Sequence, residues 1–136
     1  MPKLEIIPEY RAIADEKQGL VLRLRGFIDA ANHEVFTQEL EKALRGERRF
    51  LIVDLREVNY INSTGISALI RAQGILTKRG GALVLCHVAR PVAVSLHLLG
   101  LTTVVPLVKD VKKACLLYTS DAADEGLGVD LGGRRI

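Results

Sequence analysis

The chain has 136 residues, 49% hydrophobic and 26% charged, with a formal net charge of +3 and no tryptophan. That length supports one domain with a real core, and no apolar run approaches the roughly twenty residues a membrane span needs. Basic residues are scattered rather than gathered into a run interleaved with aromatics, so no nucleic-acid partner is expected.

Met1-Pro2-Lys3-Leu4-Glu5 contains no apolar signal region, so a cytoplasmic location without direct membrane insertion is expected. Leu4 to Tyr10 reads as a first short strand, ending near Pro8, with Pro placing it at a sheet edge. Asp15 to Gly19 is a polar turn, and Leu20 to Gly26 a second strand that pairs with the first as a hairpin. Asp29 or Asn32 then caps a helix with apolar positions Ala31, Val35, Phe36, Leu40 and Leu44, which Gly46 ends.

Phe50 to Leu55 is a continuous apolar run broken only by Asp54, the pattern of a buried strand, and Arg56 to Ile61 reads as a loop. Asn62, Ser63 and Thr64 follow, all residue types whose side-chain oxygens accept hydrogen bonds from free N–H groups of a first helical turn. Ile66, Leu69, Ile70 and Leu76 mark that helix to about Lys78, before the stop signal Arg79-Gly80-Gly81. Ala82 to Val88 is another buried strand. Arg90-Pro91 opens a helix with an apolar face of Val92, Leu96 and Leu99, ended by Gly100. Thr102 to Val108 is a last strand, short or at an edge because of Pro106, and Asp110 to Ala114 starts a final helix. Strands alternating with helices from residue 20 onward imply a mostly parallel sheet with helical crossovers.

Enzyme chemistry is not expected. There is no glycine-rich phosphate loop, no arguable Ser-His-Asp or Cys-His set, and no carboxylate pairing suited to acid–base work. Cys86 reads as a small core residue. His33, His87 and His97 show no metal-ligand spacing along the chain, so no metal and no cofactor are expected. His97 reads as a surface or boundary residue.

The stretch from Phe50 to Ile66 organises the rest: strand, loop, capped helix, with hydroxyls at the helix start. Helix N-termini carry free donors and partial positive charge, so a phosphoryl group is tolerated there. On spacing alone Ser63 is accounted for as a cap. The run Val53-Asp54-Leu55, Val58 and Tyr60-Ile61-Asn62-Ser63-Thr64-Gly65-Ile66, however, resembles the signature of STAS domains, the anti-sigma factor antagonist family. There a strand ending in Asp-Leu precedes Asp-Ser-Ser/Thr-Gly-Leu and a helix. The first Ser after the Asp is the family's phosphoacceptor, matching Ser63; where the family has Asp, this chain has Asn62. Gly26-Phe27-Ile28-Asp29 is similar to the family's Gly-Glu-Leu-Asp loop beside the phosphoacceptor, with Gly26 and Asp29 matching and Phe27 replacing Glu. Asp29 is equally accounted for as a helix cap, and Gly65 by crowding at the helix start.

The resemblance covers about residues 4 to 114. It implies a single α/β domain: a mostly parallel sheet of four to five strands, an antiparallel N-terminal strand pair, and helices mainly on one side. It also implies an anti-sigma factor antagonist that binds an anti-sigma serine kinase when unphosphorylated. Phosphorylation at Ser63 would release it and a phosphatase would reset it. Asp29, Asn62, Ser63, Thr64 and Gly65 would meet the partner, with Thr64 the second-choice acceptor. The alternative implied is an accessory subunit of an ABC lipid-transport system, docking on an ATPase subunit without phosphorylation. A weaker third is a component of a large stress-sensing complex.

Residues 115–136, CLLYTSDAADEGLGVDLGGRRI, lose periodicity after Tyr118 and resemble the translation of a transposase-type sequencing adapter read through in frame. The expectation is a domain of residues 1–114 and a non-native, largely disordered tail, with Cys115 outside any cysteine argument.

Overall fold

A computed structural model describes residues 4–13, 17–45 and 48–115. Five strands form one sheet in the order β1-β2-β3-β4-β5: β1 Glu5–Ile13, β2 Lys17–Ile28, β3 Phe50–Ile61, β4 Ala82–Cys86 and β5 Leu107–Val108. β1 and β2 are antiparallel, and the remaining pairs are parallel. The crossovers are α1 His33–Leu44, α2 Ser63–Lys78 and α3 Arg90–Leu98, the last followed by a 3₁₀ turn, Leu101–Thr103. Each crossover advances the sheet by one strand in the same direction. With right-handed connections, that stacks all three helices on one face.

Alternation along the strands builds the core on that face. Leu20, Leu22 and Leu24, then Leu51, Val53 and Leu55, then Leu83 and Leu85 meet Phe36 and Leu40 of α1, Leu69 and Leu76 of α2, and Leu96 of α3. A smaller cluster fills the other face, where Val21, Ile52, Val84 and Cys86 receive Val111 and Ala114 of a last helical turn at 111–115. The first six residues of β3 are therefore buried on both sides, as their unbroken apolar run requires.

The expected α/β architecture is present; several boundaries differ. β1 does not end near Pro8 but runs through it, with Pro8 opposite Leu22. The missing N–H is harmless because β1 is the sheet edge. β2 continues past Gly26, which takes φ 110 at a register shift against β3, a conformation open to glycine. Arg56 to Ile61 is strand, not loop. β4 ends opposite Asp54, so beyond Leu55 only β2 flanks β3, and burial gives way to exposed Arg56, Glu57 and Tyr60 around buried Val58 and Ile61.

Thr102 to Val108 is strand only at its last two residues. Gly100 turns left-handed at φ 81, the 3₁₀ turn follows, and Val105 N–H bonds Leu101 O at 2.9 Å. The edge of β4 left bare there is filled by a side chain. Buried Gln73 of α2 accepts from Leu83 N–H at 2.7 Å and donates to Leu83 O and Val104 O at 3.1 and 2.8 Å. Its amide stands in for the strand that sequence reading placed here. β4 likewise stops at Cys86 rather than Val88, because His87 adopts φ 55.

Val35, Ile70 and Leu99, read as core positions, are 51%, 36% and 53% exposed. Ala43 of α1 and Ala68, Ala72 and Gln73 of α2 take buried places instead. The small side chains let α1 and α2 close on each other. Gly46 and the tail from residue 116 lie outside the described residues.

Candidate functional site

The ends of β2 and β3 bring two loops together. Their pairing extends to Phe27 opposite Tyr60 and Ile28 opposite Ile61. Asn62 N–H then donates to Ile28 O at 2.9 Å, tying the start of α2 to the loop that leads into α1. Asp29 and Asn62, 33 positions apart in number, are thus held at one edge of the domain.

In the first loop, Asp29 Oδ1 accepts from Ala31 N–H at 2.9 Å, while Asp29 N–H donates to Asn32 Oδ1 at 2.9 Å. Asn32 Nδ2 donates to Phe27 O at 2.9 Å. Asn32 occupies the N-cap position of α1, but its side chain caps no helical N–H. Both side chains brace the loop backbone instead of capping the helix, and the role of Asn32 as its keystone was not legible from spacing.

In the second loop, Asn62 is the N-cap of α2. Its Oδ1 accepts from Gly65 N–H at 2.9 Å, and its carbonyl accepts from Ile66 N–H at 3.1 Å. Asn serves as well as Asp for this bond. Ser63 is therefore not the cap but the first helical residue. It is exposed, and its hydroxyl has no hydrogen-bond partner among the described residues. Thr64, the next residue, is exposed as well. First-turn N–H groups have no intrahelical acceptor, and α2 carries no acidic residue in that turn. The hydroxyls of Ser63 and Thr64 stand in a locally positive field.

Gly65 is buried. A Cβ there would come to 3.0 Å from Ile28 Cγ2 and 3.0 Å from Ile61 Cγ1. The missing side chain lets the first turn of α2 sit on the ends of β2 and β3.

Beside Thr64 opens a groove between α1 and α2, about 380 Å³, with His33, Glu34, Glu41, Ser67 and Arg71 among its walls. Below it a second hollow of about 240 Å³ is floored by Leu40, Leu44, Ala68, Ala72 and Ile75. His33 Nδ1 is buried without a partner among the described residues. Sequence reading took Leu40 and Leu44 as core positions and gave His33 no role, and it did not foresee the groove, since these residues converge only when the helices pack.

The opposite face carries ion pairs. Arg23 bridges Glu9 and buried Asp54, at 2.9 and 2.7 Å, and its own pKa is raised, first by the hydrogen bond to Glu9. Arg25 bridges Glu57 and Glu5, at 2.9 and 3.3 Å, out in solvent. Such exposed pairs contribute little.

A family model described as the STAS domain matches residues 10–114. The chain is 22% identical over 89 residues to an "Anti-sigma F factor antagonist" of Paenibacillus polymyxa, covering 65% of this chain and 76% of that protein. Among solved structures, an anti-sigma factor antagonist from Mycobacterium paratuberculosis aligns with a TM-score of 0.75 and 20% identity, over 85% of this chain and 94% of that one. The anti-sigma factor antagonist SpoIIAA in its unphosphorylated form aligns at 0.68 and 16%, over 83% and 96%. SpoIIAA in its phosphorylated form aligns at 0.58 and 15%, over 82% and 99%.

Proposed function

We propose, on the premise that this chain belongs to the STAS domain family, that it is an anti-sigma factor antagonist switched by phosphorylation of Ser63. It acts as a binding protein and a substrate, not as a catalyst. Unphosphorylated, it docks on an anti-sigma factor that is also a serine kinase, through the edge formed by Asp29, Asn62, Ser63, Thr64 and Gly65. The kinase transfers the γ-phosphoryl group of ATP to Ser63 Oγ; the P–O bond to ADP breaks, and the hydroxyl proton leaves to a base on the kinase. A phosphatase resets the switch.

The observation that carries this reading is the exposed Ser63 hydroxyl, unpartnered among the described residues, at the first position of a helix already capped by its neighbour. Because Asn62 supplies the cap, Ser63 is free to be modified without removing it. A phosphoryl group adds about −1.5 to −2 charge at neutral pH. At the N-terminus of α2 that charge gains roughly 0.3–1 kcal/mol, so the fold survives. Within an interface the same group must be desolvated or clashes. A hundredfold loss of affinity takes only about 2.8 kcal/mol. The existence of the fold neighbour SpoIIAA in unphosphorylated and phosphorylated forms supports the reading.

The test is phosphopeptide mass spectrometry after incubation with ATP and candidate anti-sigma kinases. The tryptic peptide Glu57 to Arg71 contains both hydroxyl candidates. Phosphate on Ser63, abolished by Ser63→Ala and retained in Thr64→Ala, is the expected result. A kinase or ATPase that binds the chain tightly yet leaves the peptide unmodified would refute the switch and favour a docking subunit of a transport system.

A further inference from the structure

The face of the sheet away from α1 to α3 holds a cluster the switch does not use. Along the chain, Asp54 and the Cys86-His87 pair show no ligand spacing. Across the sheet they converge. β3 and β4 run parallel with Asp54 opposite Cys86, so both side chains leave the sheet on the same side. Both are buried, at 4% and 0% exposure. Strict alternation would send His87 to the opposite face from Cys86. Its backbone instead takes φ 55, uncommon for a residue with a side chain. One ligand atom from each of Asp54, Cys86 and His87 lies within 4.8 Å of the other two.

We propose that Asp54, Cys86 and His87 form a binding site for a thiophilic divalent cation of the zinc class, with a fourth position open to water. Carboxylate oxygen, thiolate sulfur and imidazole nitrogen are the donor types zinc takes in tetrahedral sites. Bonds of about 2.0–2.3 Å put tetrahedral ligands about 3.5 Å apart, so the cluster closes by small side-chain movements. Half-buried His87 is the route of entry.

Arg23 can yield its place. Its Nη1 holds Asp54 Oδ2 at 2.7 Å, but its Nε and Nη2 both bond Glu9 Oε1, at 3.0 and 2.9 Å. Arg56 N–H keeps its bond to Asp54 Oδ1 at 2.9 Å and orients the carboxylate. On binding, the Cys86 S–H bond breaks, its proton passes to water, and the sulfur lone pair bonds the metal; His87 donates a ring-nitrogen lone pair. Nothing is oxidised.

The test titrates the reduced full chain with cobalt(II), reading the sulfur-to-cobalt charge-transfer absorption, and measures zinc affinity by competition with a chromogenic chelator. One equivalent of cobalt with a charge-transfer band is expected. Cys115→Ser should keep the band, because the second thiol is not a ligand, and Cys86→Ser should lose it. His87→Gln leaves the buried cysteine in place and should weaken zinc binding at least tenfold, with an unchanged circular dichroism spectrum. A chain without the band, a band that survives Cys86→Ser, or His87→Gln binding zinc as tightly as the parent would overturn the assignment.

Discussion

Asn62→Ala perturbs the candidate site at the bond that defines it. The substitution deletes the acceptor of Gly65 N–H, held at 2.9 Å, while the backbone bond from Asn62 N–H to Ile28 O remains. Loss of such a cap costs about 1 kcal/mol, within a range of about 0.5–2. For a domain of this size that lowers Tm by about 4 °C. Asn62→Asp is the informative partner. It keeps the acceptor and places a negative charge at a helix start that has no acidic residue in its first turn. The gain from the helix dipole is roughly 0.3–1 kcal/mol, so Asn62→Asp should match or exceed the parent. Urea unfolding followed by circular dichroism reads both. Amide exchange at Gly65 should quicken in Asn62→Ala and stay slow in Asn62→Asp. If Asn62→Ala holds parental stability, or Asn62→Asp falls alongside it, the side chain is not acting as the cap.

Gln73→Leu should cost about 2–4 kcal/mol by urea unfolding, since it leaves Leu83 N–H and the carbonyls of Leu83 and Val104 without its amide; a neutral result would mean water or a strand shift replaces it. Gly81→Ala brings a Cβ to 1.8 Å from Arg49 O, a backbone clash that should destabilise by about 3 kcal/mol, the upper end for overpacking, whereas Gly74→Ala meets nothing within 4 Å and should leave stability level or raised. The Cys86 thiol, pushed up to about 12 by burial, keeps its proton in the folded chain at pH 9–11 while the unfolded chain loses it. Stability should therefore fall as pH rises through that window, by at most about 1.4 kcal/mol per pH unit for this group, and the fall should be shallower in Cys86→Ala; parallel pH profiles for the two would contradict the burial argument.

Period and punctuation in the sequence were enough for the order of elements. The alternation after Leu20 and the helical spacing of Ile66, Leu69 and Leu76 mark strand and helix because local geometry decides which side chains share a face, and the short apolar run Phe50 to Val53 reads as a buried strand from its length and β-branched content. The antiparallel first pair followed from the hairpin reading; helices on one side came only from the resemblance to STAS domains. The sequence also placed Asn62, Ser63 and Thr64 at a helix start. What it left open there was which residue caps the helix, since all three carry a suitable oxygen; backbone geometry chose Asn62 and exposed Ser63. Tertiary structure decided the rest for non-local reasons. β3 runs to Ile61 because β2 keeps pairing with it after β4 has ended. The last strand shrinks to Leu107–Val108 because Gln73, one helix away, takes over the edge of β4. Asp54, Cys86 and His87 meet because strand register sets two of them side by side and one left-handed residue turns the third. Apart from the adjacent Cys86 and His87, these partners come from separate elements, and hydrogen-bond satisfaction across the sheet has no period along the chain.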